Sequence, residues 1–256
     1  MSLATGKLLR LSRFLESGKV SVILQADLGL SLGPVDGLEN MDRSLELACK
    51  AGVDAVILAS GQVARHVHFF KGRSAPSILA RVDWSNSERG PSFALPASSV
   101  ARTIIDDAEH AAFLGCDGVV LSFQMGYGKD DAEADNLASI AELSSSCSAL
   151  GLPVLVEVSP VGERVTDRNY GDIVKLAARM SIEAGADAIV APNLGPDLLR
   201  ELAVACKPAP IWVKLRNSDV PWSGSVGEIG IAGFVLGPWL LSSDAGSVVG
   251  QLRKCL

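Results

Sequence analysis

The stretch Ala51-Gly52-Val53-Asp54-Ala55-Val56-Ile57-Leu58 returns further along the chain in altered form. Its copies are Leu114-Gly115-Cys116-Asp117-Gly118-Val119-Val120-Leu121, Ala184-Gly185-Ala186-Asp187-Ala188-Ile189-Val190 and Ile229-Gly230-Ile231-Ala232-Gly233-Phe234-Val235-Leu236. In each, a glycine closes a helical pattern, where its missing Cβ permits the left-handed cap. A short apolar strand follows at once. Between the copies lies a second kind of strand opening, led by proline: Ala75-Pro76-Ser77-Ile78-Leu79-Ala80, Leu152-Pro153-Val154-Leu155-Val156 and Ala209-Pro210-Ile211-Trp212-Val213. Proline is tolerated there because its missing N–H costs no ladder bond at a strand start. The two kinds alternate, and residues 20–26 supply a first strand, so the count reaches eight. A two-unit period repeated four times predicts an α/β fold, a (β/α)8 TIM barrel, in one domain spanning residues 1–256.

The connecting segments fit. Helices are expected over residues 38–51, with a cap at Asn40/Asp42, and over 98–114, 131–150, 167–184, 196–206 and 246–255. An extra N-terminal helix near 8–16 would plug the barrel floor. The segment 61–74 is short and basic. The segment 216–230 is rich in Gly, Ser and Pro, so the helix after strand seven is expected to be reduced.

Composition agrees and excludes other classes. The 256 residues are 48% hydrophobic and only 5% aromatic, as suits interleaved small and branched side chains in a barrel. A net charge of −6 argues against a nucleic-acid partner. No apolar run approaches the roughly 18–20 residues of a membrane span. The opening lacks the apolar stretch of a secretory signal, and Met1-Ser2-Leu3 reads as a cloning remnant. Cys49, Cys116, Cys147, Cys206 and Cys255 are scattered and never form a Cys-x-x-Cys pair. They read as packed small hydrophobes in a reducing cytoplasm, not as disulfides or a metal site. Neither a cofactor nor a metal is expected.

Barrel active sites lie at the carboxyl ends of the strands. Strand one ends in Asp27, a carboxylate costly to bury unless used or paired. On strand five Glu157 and Ser159 share a face with Leu155, because a strand has period two. An inward Glu157 among aliphatics is expected to have a raised pKa, suited to acid–base work near neutrality. On strand seven Lys214 shares a face with Trp212 and Arg216. Desolvation there would lower its pKa and free a nucleophilic amine. After strand two, Arg65, His66, His68, Lys71 and Arg73 form either a candidate anion clamp or a plain solvated loop; the His-x-His pair lacks the third ligand of a catalytic zinc. Gly126-Tyr127-Gly128-Lys129 after strand four borders the expected mouth. Gly237 follows strand eight, where barrels often hold phosphate, although Pro238 has no N–H to give.

These residues resemble a known family. The run Leu11-Ser12-Arg13-Phe14, then Asp27-Leu28-Gly29-Leu30-Ser31-Leu32-Gly33-Pro34 and Gly37-Leu38, is similar to the start of the archaeal-type class I fructose-bisphosphate aldolases. Those belong to the deoxyribose-phosphate aldolase superfamily, with the aminodideoxyheptulosonate synthases. The likeness continues through Gly52-Val53-Asp54-Ala55-Val56, Arg65-His66, His68, Pro160 and Gly162, and from Ala177-Ala178-Arg179 to Ala184-Gly185-Ala186-Asp187. It implies a (β/α)8 lyase acting on phosphorylated sugars through a lysine Schiff base. Asp27 stands in the family's place. The family's lysine position carries Val190, its tyrosine acid Ser159, and its motif arginine Val161. Its Gly-Gly phosphate loop carries Leu215-Arg216, and its Gly-Arg pair Gly237-Pro238.

Two functions follow as expectations. The first is an aldolase-like carbon–carbon lyase or transferase on a small phosphorylated or otherwise anionic carbonyl compound. Lys214 would be the relocated Schiff-base amine, Asp27 and Glu157 the proton-transfer pair. Ser159, Arg216, Arg65, Lys71 and Gly237 would bind substrate. The second is a pseudoenzyme that binds a metabolite or protein. A homo-oligomer is a further expectation, with Trp222 and Trp239 as exposed interface candidates.

Overall fold

The computed structural model describes residues 5–242 and 244–256; the Met1-Ser2-Leu3 opening lies outside them. Its strands are β1 (Ser21–Gln25), β2 (Ala55–Ala59), β3 (Ser77–Arg81), β4 (Asp83–Ser85), β5 (Arg102–Ile104), β6 (Gly118–Met125), β7 (Val154–Pro160), β8 (Ala188–Pro192), β9 (Ile211–Leu215) and β10 (Gly233–Leu236). All but β4 and β5 pair in parallel and close in the order β1-β10-β9-β8-β7-β6-β3-β2, a (β/α)8 barrel. β4 and β5 form an antiparallel hairpin inserted after β3. The helices are α1 (Thr5–Leu11), α2 (Gly29–Leu32), α3 (Met41–Ala51), α4 (Ser60–Arg65), α5 (Ala108–Phe113), α6 (Asp131–Leu150), α7 (Tyr170–Glu183), α8 (Pro196–Cys206), α9 (Val226–Ile229) and α10 (Ala245–Arg253). No helix among the described residues is long and apolar enough to cross a membrane.

The repeated opening has a physical cause. Gly52, Gly115, Gly185 and Gly230 all have positive φ, between 73° and 105°, which ends each helix. The aspartate two residues on caps the neighbouring strand. Asp54 accepts the Val22 N–H at 2.8 Å, Asp117 the Ile78 N–H at 3.1 Å, and Asp187 the Val154 N–H at 2.9 Å. Each is also held by a cation from a terminal segment: Arg253 on Asp54, Arg13 on Asp117 and Lys7 on Asp187. The fourth copy has Ala232 in this place and keeps only the backbone bond, Ala232 N–H to Ile211 O at 2.7 Å. Gly233 beside it is obligatory, because a Cβ there would lie 1.8 Å from Ser21 O.

The floor is closed from below, with the helix earlier than expected. α1 stops at Leu11, and Phe14 beyond it turns its ring against Trp212, centroids 5.8 Å apart. Trp212 donates its indole N–H to Ser21 Oγ at 2.9 Å, so its polar edge is satisfied inside the barrel. Burying a side chain of this size contributes on the order of 1.5–3 kcal/mol. Above it the interior is filled by Ile23, Ile57, Leu79, Val120, Leu155 and Val190.

The helix expected over 98–114 is instead β5 followed by the short α5. Thr103-Ile104-Ile105 is a β-branched run that favours strand pairing, and Asp107 caps a new helix by accepting the His110 N–H. The segment after β9 holds a 3-10 turn and α9 alone, the reduced unit expected. Trp222 and Trp239 are half-buried, contrary to their reading as exposed. Trp222 packs edge-on against Phe234 at 5.1 Å, and Trp239 donates to Leu215 O at 3.3 Å.

Candidate active site

The strand parity read from the sequence places Glu157 and Lys214 together. Leu155, Val190 and Trp212 line the barrel interior. Glu157 lies two residues above Leu155, and Lys214 two above Trp212, so both rise into the carboxyl-end mouth. Lys214 Nζ stands 2.7 Å from Glu157 Oε1. Asp27, just beyond β1, is joined to Glu157 through a residue the sequence reading missed. Arg81 ends β3, its Nε 2.5 Å from Asp27 Oδ2 and its Nη2 2.5 Å from Glu157 Oε2. Its Nη1 reaches Asp83 Oδ1 at 3.4 Å. The signal is parity again: Arg81 shares a face with the inward Leu79, one residue beyond the apolar run that ends at Ala80.

The hairpin secures this network. Asp83 Oδ2 accepts the Ser122 N–H at 2.8 Å, the Ser122 hydroxyl at 2.5 Å and Arg102 Nε at 2.9 Å. Gln124 on β6 donates to Ser85 Oγ at 2.6 Å and Ser87 Oγ at 2.9 Å. The loop beyond is held down by Arg89, which donates to Ser31 O at 2.8 Å and stacks over Trp84 and Phe93.

Electrostatics reverse both expected pKa directions. Burial pushes Glu157 up, but the charges of Lys214 and Arg81, with the hydrogen bonds both donate, outweigh it and hold the carboxyl at about 2. Burial pushes Lys214 down, but Glu157 and Glu88 hold the ammonium above the ordinary lysine value. The sequence reading assumed aliphatic surroundings and did not include Arg81 or Glu88. At neutral pH the resting pair is therefore carboxylate and ammonium.

A cavity of about 640 Å³ opens over this pair, lined by Lys214, Glu157, Ser159, Arg216 and Gly237, with Tyr170 on its wall. A smaller adjoining cavity of about 60 Å³ is lined by Asp27, Gln25, Arg81 and Asp83. Two buried acceptors there, Gln25 Oε1 and Asp27 Oδ1, have no hydrogen-bond donor among the described residues. Arg65 and Lys71 line neither cavity. Both are exposed beyond β2, where α4 buries Val63 and turns Arg65 outward. His66 and His68 face Asp42 at 3.9 and 3.6 Å. Gly126 lies against the loop after β7, its carbonyl accepting the Arg164 N–H at 3.0 Å.

Known proteins resemble this chain along most of its length. Residues 21–194 match the profile of the DeoC/LacD family aldolases. An uncharacterised aldolase of Saccharolobus solfataricus is 28% identical over 72% of the chain and 67% of its own length. A 2-amino-3,7-dideoxy-D-threo-hept-6-ulosonate synthase of Halobacterium salinarum is 29% identical over 72% of the chain and 64% of its own length. The class 1 fructose-bisphosphate aldolase of Thermoproteus tenax is 30% identical over 74% of the chain and 67% of its own length. The fold matches the crystal structure of an archaeal fructose 1,6-bisphosphate aldolase with a TM-score of 0.77 and 20% identity, over 97% of this chain and 99% of that one.

Proposed function

The chain belongs to the DeoC/LacD aldolase family, and from that membership we propose that it is a carbon–carbon lyase or transferase acting on a small carbonyl compound through Lys214. The observation that carries this reading is the 2.7 Å pair of Lys214 and Glu157, raised into the mouth of the barrel. An ammonium adding to a carbonyl gives a protonated imine and one water, so the charge at Lys214 is unchanged. A fixed carboxylate at Glu157 therefore stabilises both the starting and the covalent state. The proton that must leave before the amine attacks passes to water and is regained when the carbinolamine loses its hydroxyl as water, because a carboxyl held at about 2 is too weak a base to keep it. Asp27 lines the smaller cavity, with one oxygen held by Arg81 and the other buried and without a donor among the described residues. That unpartnered oxygen takes the proton of a substrate hydroxyl brought against it as the carbon–carbon bond breaks and its electrons pass into the iminium, leaving an enamine. Reprotonation of the enamine and addition of water release both products. Ser159, Arg216 and Gly237 bound the substrate; Arg65 and Lys71 have no part in it.

The test is reduction with borohydride in the presence of small aldehydes and ketones, followed by mass mapping of the peptides. An adduct on Lys214 is expected. Its yield should rise with pH past the ordinary lysine range, because Glu157 and Glu88 hold the amine protonated. No adduct on Lys214 with any carbonyl tried would overturn the covalent reading. A second reading, a barrel that binds a metabolite or protein without catalysis, is favoured by buried Val190, which the family resemblance assigns to the lysine position. Reversible binding of a carbonyl ligand with no trapped adduct would establish it.

A further inference from the structure

We infer that the site takes an uncharged polyhydroxylated carbonyl compound and discriminates against its phosphorylated counterpart. This rests on the reading of the cavity as a site for a carbonyl substrate. Three independent observations carry it.

The first is charge. Asp27, Asp83, Glu88, Glu157 and Asp219 line the two cavities, against Arg81, Lys214 and Arg216. The two inner cations are already committed: Arg81 to three carboxylates, and Lys214 to Glu157. Arg216 lies exposed at the rim. A phosphate dianion entering this mouth meets an excess of like charge.

The second is the state of the loops after β9 and β10, where barrels of this class hold phosphate on backbone N–H groups and helix N-termini. Here the chain's own carboxylates occupy such donors. Asp219 Oδ2 accepts the Arg216 N–H at 2.8 Å, and Asp244 Oδ1 accepts the Ser247 N–H at the start of α10 at 3.2 Å. Between them Pro238 has no N–H at all.

The third is the pair of unpartnered acceptors. Gln25 and Asp27, 4% and 7% exposed, line the smaller cavity beside Lys214, and their buried Oε1 and Oδ1 have no donor among the described residues. Buried acceptors left unpaired are costly, and a ligand that supplies donors relieves them. Hydroxyl groups are such donors; a fully ionised phosphate is not. A site built to hydrogen-bond hydroxyls also rejects analogues that lack them.

The test is titration of the full-length chain by calorimetry with matched pairs of three- to six-carbon sugars, each with and without a phosphate, dihydroxyacetone and its phosphate among them. At least one unphosphorylated member should bind at least about tenfold more tightly than its phosphate. Inorganic phosphate should not compete with it. Gln25→Leu should weaken that ligand about tenfold while its thermal unfolding stays cooperative. A phosphorylated member binding equally or more tightly, competition by inorganic phosphate, or binding by no unphosphorylated member would overturn the inference. The readout is non-covalent. Binding of a neutral sugar without a borohydride adduct therefore sinks the Schiff-base reading alone.

Discussion

Arg81 shows how one side chain can organise a site. It bridges Asp27, Asp83 and Glu157, and its burial is tolerated because three carboxylates surround it. The same contacts make Glu157 a pH-dependent part of the fold. Its carboxyl is lowered from 4.5 to about 2 in the native state. A depressed pKa means the unfolded chain binds the proton more readily. The stability Glu157 contributes is therefore complete above 4.5 and is lost as pH falls from 4.5 toward 2. Denaturant midpoints of the wild type and Glu157→Gln should differ most above pH 4.5 and converge as pH drops through that window. A gap that stays constant down to pH 2 would contradict the linkage. The placement of Glu157 and Lys214 at the mouth was legible in the sequence because strand parity is local, and that of Asp27 because it closes an apolar strand. Their charge states were not, because they depend on Arg81 and Glu88, which the fold brings from distant parts of the chain.

At the level of elements, the Gly-x-Asp lead-ins explain why the barrel was legible. The glycine ends a helix and recurs in all four copies, while the aspartate pins the next strand to its neighbour and recurs in three. Their partners set how much each is worth. Lys7 and Asp187 are both about 5% exposed, whereas Arg253 and Asp54 are 34% and 26% exposed. Removing one partner of a buried pair strands the other charge and costs about 3–5 kcal/mol. Asp187→Ala should therefore lower stability by that amount in urea unfolding. Asp54→Ala should cost only about 1–2 kcal/mol, a lost hydrogen bond whose cation can return to water. The hairpin β4–β5 was the least legible element. Nothing in the local pattern of residues 98–114 showed that Arg102 would be drawn back over the mouth to Asp83, and the pairing across a 16-residue loop is a long-range event.

The whole molecule separates its two faces. Cations from the first and last helices and the turn after α1 (Lys7, Arg13, Arg253) fasten the strand beginnings, while the strand ends carry the charged network around Arg81. The net charge of −6 argues against a nucleic-acid partner, and the carboxylates lining the mouth show where part of that negative charge lies. The ring is nevertheless uneven. Three strand beginnings have a carboxylate clasp and the fourth has Ala232, so the Ile211 N–H has no side-chain oxygen from that position. Amide hydrogens report such unevenness directly, because each exchanges with solvent deuterium only when its own bond opens. Under native conditions Ile211 should exchange faster than Val22, Ile78 and Val154, the three residues whose amides are clasped. If the barrel frays anywhere, it should begin at the junction of β9 and β10.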